Sequence, residues 1–326
     1  MDNNPKKVAS KNATQQKRKR VRIRTLKQVK EDAKNLPEAQ RLFGDMIYAN
    51  ETTIIAGDTN VGKSILAFLI ANGIASGSDA IEGIENESKE MKTVLIDMEL
   101  SDRQISKRIG NTEYNDNLLR MDSDPDCIGC SICFEDIYEA AQVEKNKVFI
   151  LDNISAFLQD PAKDGEIAIK FMTKINGIKK ELDKTFIVIA HVPKRYETTP
   201  YTNNDISGSK ALANFADSII FIGRSCKGDN IRYIKHTKGR NTIISIDKVY
   251  VLELFEVNGT LIFKFLGMDE EKNHLPKDFS KTNRNSRMQE LYNSGKYTLE
   301  EIGDIYGIDK SNVSRALKKE SERNKL

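Results

Sequence analysis

Short continuous apolar runs alternate along the chain with stretches whose apolar residues recur every three or four positions. Thr53 to Ala56, Thr93 to Asp97, Leu118 to Met121, Val148 to Asp152, Phe186 to Ala190 and Ser218 to Ile222 belong to the first kind. They are rich in β-branched and aromatic residues and are expected as buried strands. Helices are predicted between them, over Thr25 to Leu36, Ile65 to Ala75, Ser101 to Ile109, Phe134 to Val143, Ile167 to Leu182 and Ser207 to Phe215. In the fifth, Ile169, Met172, Ile175, Ile178 and Leu182 fall at helical spacing. Residues 77–90 form a polar excursion. Residues 193–206, with two prolines and many Thr and Asn, read as a mobile loop. Further strands are expected at 231–237, 248–255 and 260–266. Continuous apolar strands alternating with amphipathic helices predict an α/β fold, a mainly parallel sheet covered on both faces. In such sheets ligands bind beyond the carboxyl ends of the strands.

The pattern changes near both termini. Residues 1–24 hold few apolar positions and are expected to be a disordered tail. Near the other end, Arg287 to Tyr292 reads as a helix. Thr298 with Glu301 three residues on is a capping box, and Leu299, Ile302 and Ile305 follow on one face. Tyr306-Gly307-Ile308 is a turn, and a second helix runs from Lys310 to Lys319 with Val313 and Leu317 inward. That is helix-turn-helix spacing. The expected organisation is a tail over 1–24, an α/β domain over 25–275, a linker over 276–283, a small all-α module over 284–320 and a tail over 321–326.

Charge sharpens the picture at the ends. The net charge is only +3, yet residues 1–33 carry 11 Lys/Arg against 3 Asp/Glu, residues 281–326 carry 10 against 7, and the middle is acidic at 30 against 38. Basic ends suit a polyanion partner, the densest stretch being Lys17 to Arg24. No apolar run approaches the ~20 residues of a membrane span. The basic, polar N-terminus lacks the apolar core of a secretory signal, so a cytoplasmic protein with free cysteines is expected. Cys127, Cys130 and Cys133 have C-x₂-C-x₂-C spacing, but a closed zinc site needs a fourth ligand and Cys226 lies past a different strand. Free thiols are the expectation there.

Gly57-Asp58-Thr59-Asn60-Val61-Gly62-Lys63-Ser64 fits G-x-x-x-x-G-K-[ST], with a strand before it and a helix after it. This is the context of a phosphate-binding P-loop. Glycines let successive backbone N–H groups face one anion, and the helix N-terminus adds its positive end. Lys63 is then expected at the β- and γ-phosphates and Ser64 at Mg²⁺. Asp152, ending its strand, fits the Walker B position that holds Mg²⁺ through water. A carboxylate after the strand 93–97 could activate the attacking water. Asp97 and Glu99 fall on the same side by strand alternation, and both fit.

The string Asp97-Met98-Glu99-Leu100-Ser101-Asp102-Arg103-Gln104-Ile105-Ser106-Lys107-Arg108 resembles a segment of DnaB-type replicative helicases, with Glu99, Ser101, Gln104 and Arg108 in register. The resemblance implies that Glu99 is the catalytic base. Ala190-His191-Val192-Pro193-Lys194 resembles the γ-phosphate-sensing segment of RepA-type plasmid helicases. Ile206 to Asp217 is similar to the next motif of that superfamily. The loop between them, here Lys194, Arg195 and Tyr196, would face single-stranded DNA in a ring channel. Lys238-Gly239-Arg240 resembles the finger whose two cations reach a neighbouring subunit's γ-phosphate. Over residues 40–266 the resemblance implies a RecA-like core that binds ATP and Mg²⁺ and assembles as a ring, a hexamer. Residues 284–320 are similar to helix-turn-helix DNA-binding modules, which would set Ser311, Asn312 and Arg315 in the major groove of duplex DNA.

The function expected is a ring-forming ATPase acting on DNA, a RepA-like replicative helicase of a plasmid or mobile element. The alternative is a DNA-binding regulator or partition or transposition factor that uses ATP as an assembly switch. A third reading, an ATP-driven assembly protein with a protein-binding tail, drops nucleic acid altogether.

Overall fold

The computed structural model describes residues 23–34, 36, 38–110, 112–124, 126–127, 131–157, 164–193, 198–206, 210–276, 281–295 and 297–323. The chain divides into two units, residues 1–38 and 39–326. In the first, helix α1 (Leu26–Ala33) is started by a capping box between Thr25 and Gln28 and buries none of its residues.

The second unit is built on a nine-stranded sheet. Its strands are β3 (Thr52–Gly57), β4 (Lys92–Asp97), β5 (Leu118–Met121), β6 (Asn146–Asp152), β7 (Thr185–His191), β8 (Ser218–Arg224), β9 (Ile231–Lys238), β10 (Lys248–Val257) and β11 (Thr260–Glu270). Their spatial order is β11-β10-β9-β8-β3-β7-β6-β4-β5. From β8 to β5 every pairing is parallel; β8, β9, β10 and β11 pair antiparallel. The five strands β8-β3-β7-β6-β4 are the RecA-like arrangement, in which the first strand lies between the fourth and the fifth. A separate small hairpin pairs β1 (Arg41–Phe43) with β2 (Ile47–Tyr48).

Strand alternation divides the core in two. Ile54, Phe149, Leu151, Phe186 and Val188 point to one face, under α4 (Phe134–Gln142), α5 (Asp164–Leu182) and α6 (Lys210–Phe215). Ile55, Ile150, Ile187 and Ile189 point to the other, under α2 (Lys63–Ser76). Residues one apart belong to different cores because the strand period is two, which is why these strands read as continuous apolar runs. On α5 the buried stripe is Ala168, Phe171, Met172, Ile175 and Ile178, while Ile169 is 41% exposed and drops out of the expected face. The helix is rotated so that its aromatic residue, not Ile169, meets the sheet.

The polar stretch read as a mobile loop is anchored in its second half. Tyr201 and Ile206 are buried. The Tyr201 carbonyl accepts from Lys235 Nζ at 2.8 Å and its N–H donates to Glu271 at 2.9 Å, and Lys235 and Glu271 form a buried ion pair. Sequence periodicity carries no trace of a strand lysine that reaches back to a loop carbonyl.

The three helices α7 (Lys281–Asn293), α8 (Leu299–Tyr306) and α9 (Lys310–Arg323) pack around Met288, Ile302, Val313 and Leu317. Thr298 caps α8 and shares a reciprocal box with Glu301. Gly303 is buried where a Cβ would lie 2.5 Å from the Ile308 carbonyl, so the two helices meet only because that side chain is missing. Ile305, expected inward with Leu299 and Ile302, is 54% exposed.

Candidate nucleotide-binding site

Parallel register brings the sequence motifs to one edge of the sheet. Gly57 of β3 pairs with His191 of β7, and Asp97 of β4 pairs with Asp152 of β6. The carboxyl ends of four adjacent strands thus align, and the loop Asp58 to Gly62 leaves from the same edge. Gly57 cannot carry a side chain, since a Cβ there would sit 2.6 Å from the Ile222 carbonyl. Gly62 caps α2 with φ of 103°, a left-handed conformation open to glycine, and its Cα faces the Phe263 ring.

Within the loop, Asp58 accepts from the Thr59 N–H at 2.7 Å, and Asn60 is also left-handed, at φ of 59°. Val61 is buried, and its carbonyl accepts from buried Arg232 at 3.0 Å. Arg224, at the end of β8, donates to the Asn60 carbonyl at 3.3 Å. These two arginines were missed in the sequence; Arg232 sits inside a strand where its alternation marks nothing unusual. Lys63 is buried and donates to the carbonyls of Gly57, at 2.9 Å, and Asp58, at 2.6 Å. Burial lowers its pKa, while Asp152, Asp58 and Glu99 hold it up. The ammonium is therefore held inside the loop by two backbone carbonyls.

Burial raises the Asp152 pKa, and the nearby Ser64 side chain opposes that rise. A hydroxyl and a carboxylate near each other beside the phosphate loop are hard oxygen donors, the set that Mg²⁺ takes. The donor chemistry and the glycine cradle both fit a magnesium nucleotide.

The two candidate bases are separated by their surroundings. Asp97 is buried; one oxygen accepts from the N–H groups of Glu99, at 3.1 Å, and Leu100, at 3.2 Å, and the other pairs with Arg120 at 3.2 Å. Its acceptor capacity goes to shaping the turn after β4. Strand alternation therefore does not continue to residue 99, because β4 ends at Asp97. Glu99 is exposed, and its Oε1 accepts from Asn153 Nδ2 at 2.6 Å. The same Asn153 nitrogen lies 3.3 Å from His191 Nε2. Burial and then the nearby Lys63 charge lower the His191 pKa, so the ring is neutral at physiological pH. Asn153 was not singled out in the sequence, although a polar residue directly after a buried strand is the signal that pointed to Asp152.

Lys238 and Arg240 are elsewhere. β9 runs antiparallel to β8, so its end, Lys238, pairs with Ile219 near the start of β8, away from the P-loop edge. Lys238 Nζ donates to the carbonyls of Ala213 and Asn214, and Arg240 pairs with Asp217 at 3.1 Å while 62% exposed. Asp217 itself is buried, bonded to Lys179 and to the Thr52 N–H. Lys194 and Arg195, expected at the channel, lie outside the described residues, as do Ser207 to Ser209 of the following motif. On α9, Ser311, Asn312 and Arg315 are all exposed, and Arg315 donates to Asn312 at 3.2 Å.

The expectation of free cysteines holds at Cys133 and Cys226 and fails at Cys127, which is disulfide-bonded. Among the described residues there is no group of three or more His, Cys, Asp or Glu arranged to hold a metal, and no helix long and apolar enough to cross a membrane.

The sequence profile of a family described as AAA domain matches residues 17–197. No curated protein sequence matches the chain. A KaiC-like protein from the hyperthermophilic archaeon Pyrococcus horikoshii is similar in structure over 67% of this chain and 90% of its own, with a TM-score of 0.46 and 15% identical residues.

Proposed function

The chain belongs to the AAA-domain family, and from that premise we propose that it is a ring-forming, Mg²⁺-dependent ATPase acting on DNA, in the manner of RepA- and DnaB-type helicases. The observation that supports hydrolysis is the alignment of Gly57 with His191 and of Asp97 with Asp152, which brings the P-loop, Asp152 and the turn carrying Glu99 to one sheet edge. Lys63 trades its two carbonyls for the β- and γ-phosphate oxygens of ATP. Ser64 and Asp152 would hold Mg²⁺, Asp152 through water, and the bound ion would supply charge neutralisation at those oxygens. Glu99 takes the proton of the attacking water. His191, neutral, faces the terminal phosphate.

The place of Lys238 and Arg240 supports a role in trans. Cations at the far end of the sheet cannot serve their own P-loop, whereas a neighbouring copy can receive them. Fingers of this kind are worth roughly 10³–10⁵ in rate. The basic face of α9 supports a duplex-DNA contact, and Lys194 and Arg195 are proposed to touch single-stranded DNA in the ring channel. The test is ATPase rate against protein concentration, with and without single-stranded DNA. A steep rise with concentration and stimulation by the strand, together with strand displacement, is the expected outcome. A rate per chain independent of concentration and of DNA sinks the ring reading.

A second reading, an ATP-switched DNA-binding regulator, is favoured by one observation. The three C-terminal helices have a core of their own, and α9 presents Ser311, Asn312 and Arg315 outward. Stimulation by one duplex sequence and none by single strands would select it.

A further inference from the structure

Asn153 is 3% exposed, yet it holds three hydrogen-bonding partners. Its Oδ1 accepts from the Ser155 N–H at 2.8 Å. That backbone donor fixes which end of the amide is oxygen, so Nδ2 is the end that meets Glu99 Oε1 at 2.6 Å and His191 Nε2 at 3.3 Å. An amide nitrogen has two hydrogens and no lone pair to offer. Both hydrogens are donated, one to the carboxylate and one to the ring. His191 Nε2 must then be the unprotonated nitrogen, and the ring carries its proton on Nδ1. One amide thus sets the rotation of Glu99 and the tautomer of His191 together.

We propose that Asn153 is a positioning residue that ties the catalytic carboxylate Glu99 to the phosphate-facing imidazole of His191 through the two hydrogens of a single amide. The proposal rests on the ATPase reading above. Glu99 is exposed and sits on a turn, so its carboxylate has no other described side chain to orient it. With Oε1 held by Asn153, Oε2 is left to accept from water. Because His191 shares the same nitrogen, a change of partner at the imidazole shifts the carboxylate, and occupancy at the terminal phosphate is felt at the base. Misplacing a catalytic group by about 1 Å can cost about a hundredfold in rate.

The test uses the full chain with ¹⁵N-labelled histidine and the variant Asn153→Asp. The substitution keeps the shape and the acceptor for Ser155 N–H, but it removes both donors and places a negative charge against Glu99. Expected results are a kcat lowered at least about tenfold, a Kd for ATP within about threefold of the unsubstituted chain, and a switch of His191 from the Nδ1–H to the Nε2–H tautomer. The His191 signal is assigned by its loss in His191→Gln. Asn153→Ala, which removes both donors and supplies no new one, serves if the first variant does not fold. An unchanged kcat in an active background, or a His191 tautomer that does not move, overturns the proposal. Glu99→Gln is measured alongside. If the unsubstituted chain hydrolyses no more ATP than Glu99→Gln, the ATPase reading falls, and the tautomer alone decides whether Asn153 holds the imidazole.

Discussion

Glu51 shows how one side chain takes its chemistry from tertiary packing. It is buried just before β3, and its Oε1 accepts from Asn241 at 2.7 Å, while Oε2 has no partner among the described residues. Burial, reinforced by the charge of Asp217, raises its pKa from 4.5 to about 7, against the pull of Lys179 and Arg240. The folded chain binds this proton more tightly than the unfolded one. Stability from this group is therefore full below about pH 4.5 and is lost as pH rises toward 7. Glu51→Gln should remove that decline and make the protein more stable at pH 8 by roughly 1–3 kcal/mol, with little gain at pH 4. Urea unfolding at the two pH values checks this; a variant less stable at pH 8 refutes it. In the sequence Glu51 is an acid before a strand, with nothing to mark it. By contrast, Gly57, Gly62, Lys63 and Ser64 were legible because the loop's function is local, made by consecutive backbone N–H groups.

Among the elements, the anchoring of 198–206 turns on a pair from β9 and the segment after β11. Lys235 and Glu271 are 2% and 3% exposed, and both hold the backbone of Tyr201. Removing one partner leaves a buried charge alone, which costs about 3–5 kcal/mol. Lys235→Met should lose about that much, and Lys235→Met with Glu271→Met should recover most of it, since paired apolar residues of similar size replace a buried ion pair at little net cost. A double-mutant cycle by chemical denaturation reads both; additive losses would show that the pair does not hold the segment. Strands and helices were visible in the sequence wherever burial on one or both faces imposed a period. The hairpin of β1 and β2 was not, because two- and three-residue strands are too short to show one.

At the scale of the molecule, Lys238 and Arg240 lie at the end of the sheet remote from their own P-loop. The ring reading requires Arg240 to exchange Asp217 for a neighbour's phosphate. Arg240→Ala should leave ATP binding intact and abolish the rise of specific ATPase activity with protein concentration. Full activity at every concentration would rule out a finger in trans. Buried Asp217 keeps Lys179 and Thr52 when Arg240 leaves, so the folded chain retains a partner for that carboxylate.

The amino-acid sequence by itself determined the phosphate loop, the alternation of strands and helices and the helix-turn-helix spacing. Each depends on residues near one another in the chain, where local backbone geometry or periodic burial leaves a repeating mark. Only the tertiary structure gave Asp97 its partners in the turn and Arg120, brought Asn153 between Glu99 and His191, and set Arg232 behind the P-loop. Those relations are fixed by parallel register across strands far apart in sequence, and the hydrogen bonds that distinguish them exist only after the sheet has formed.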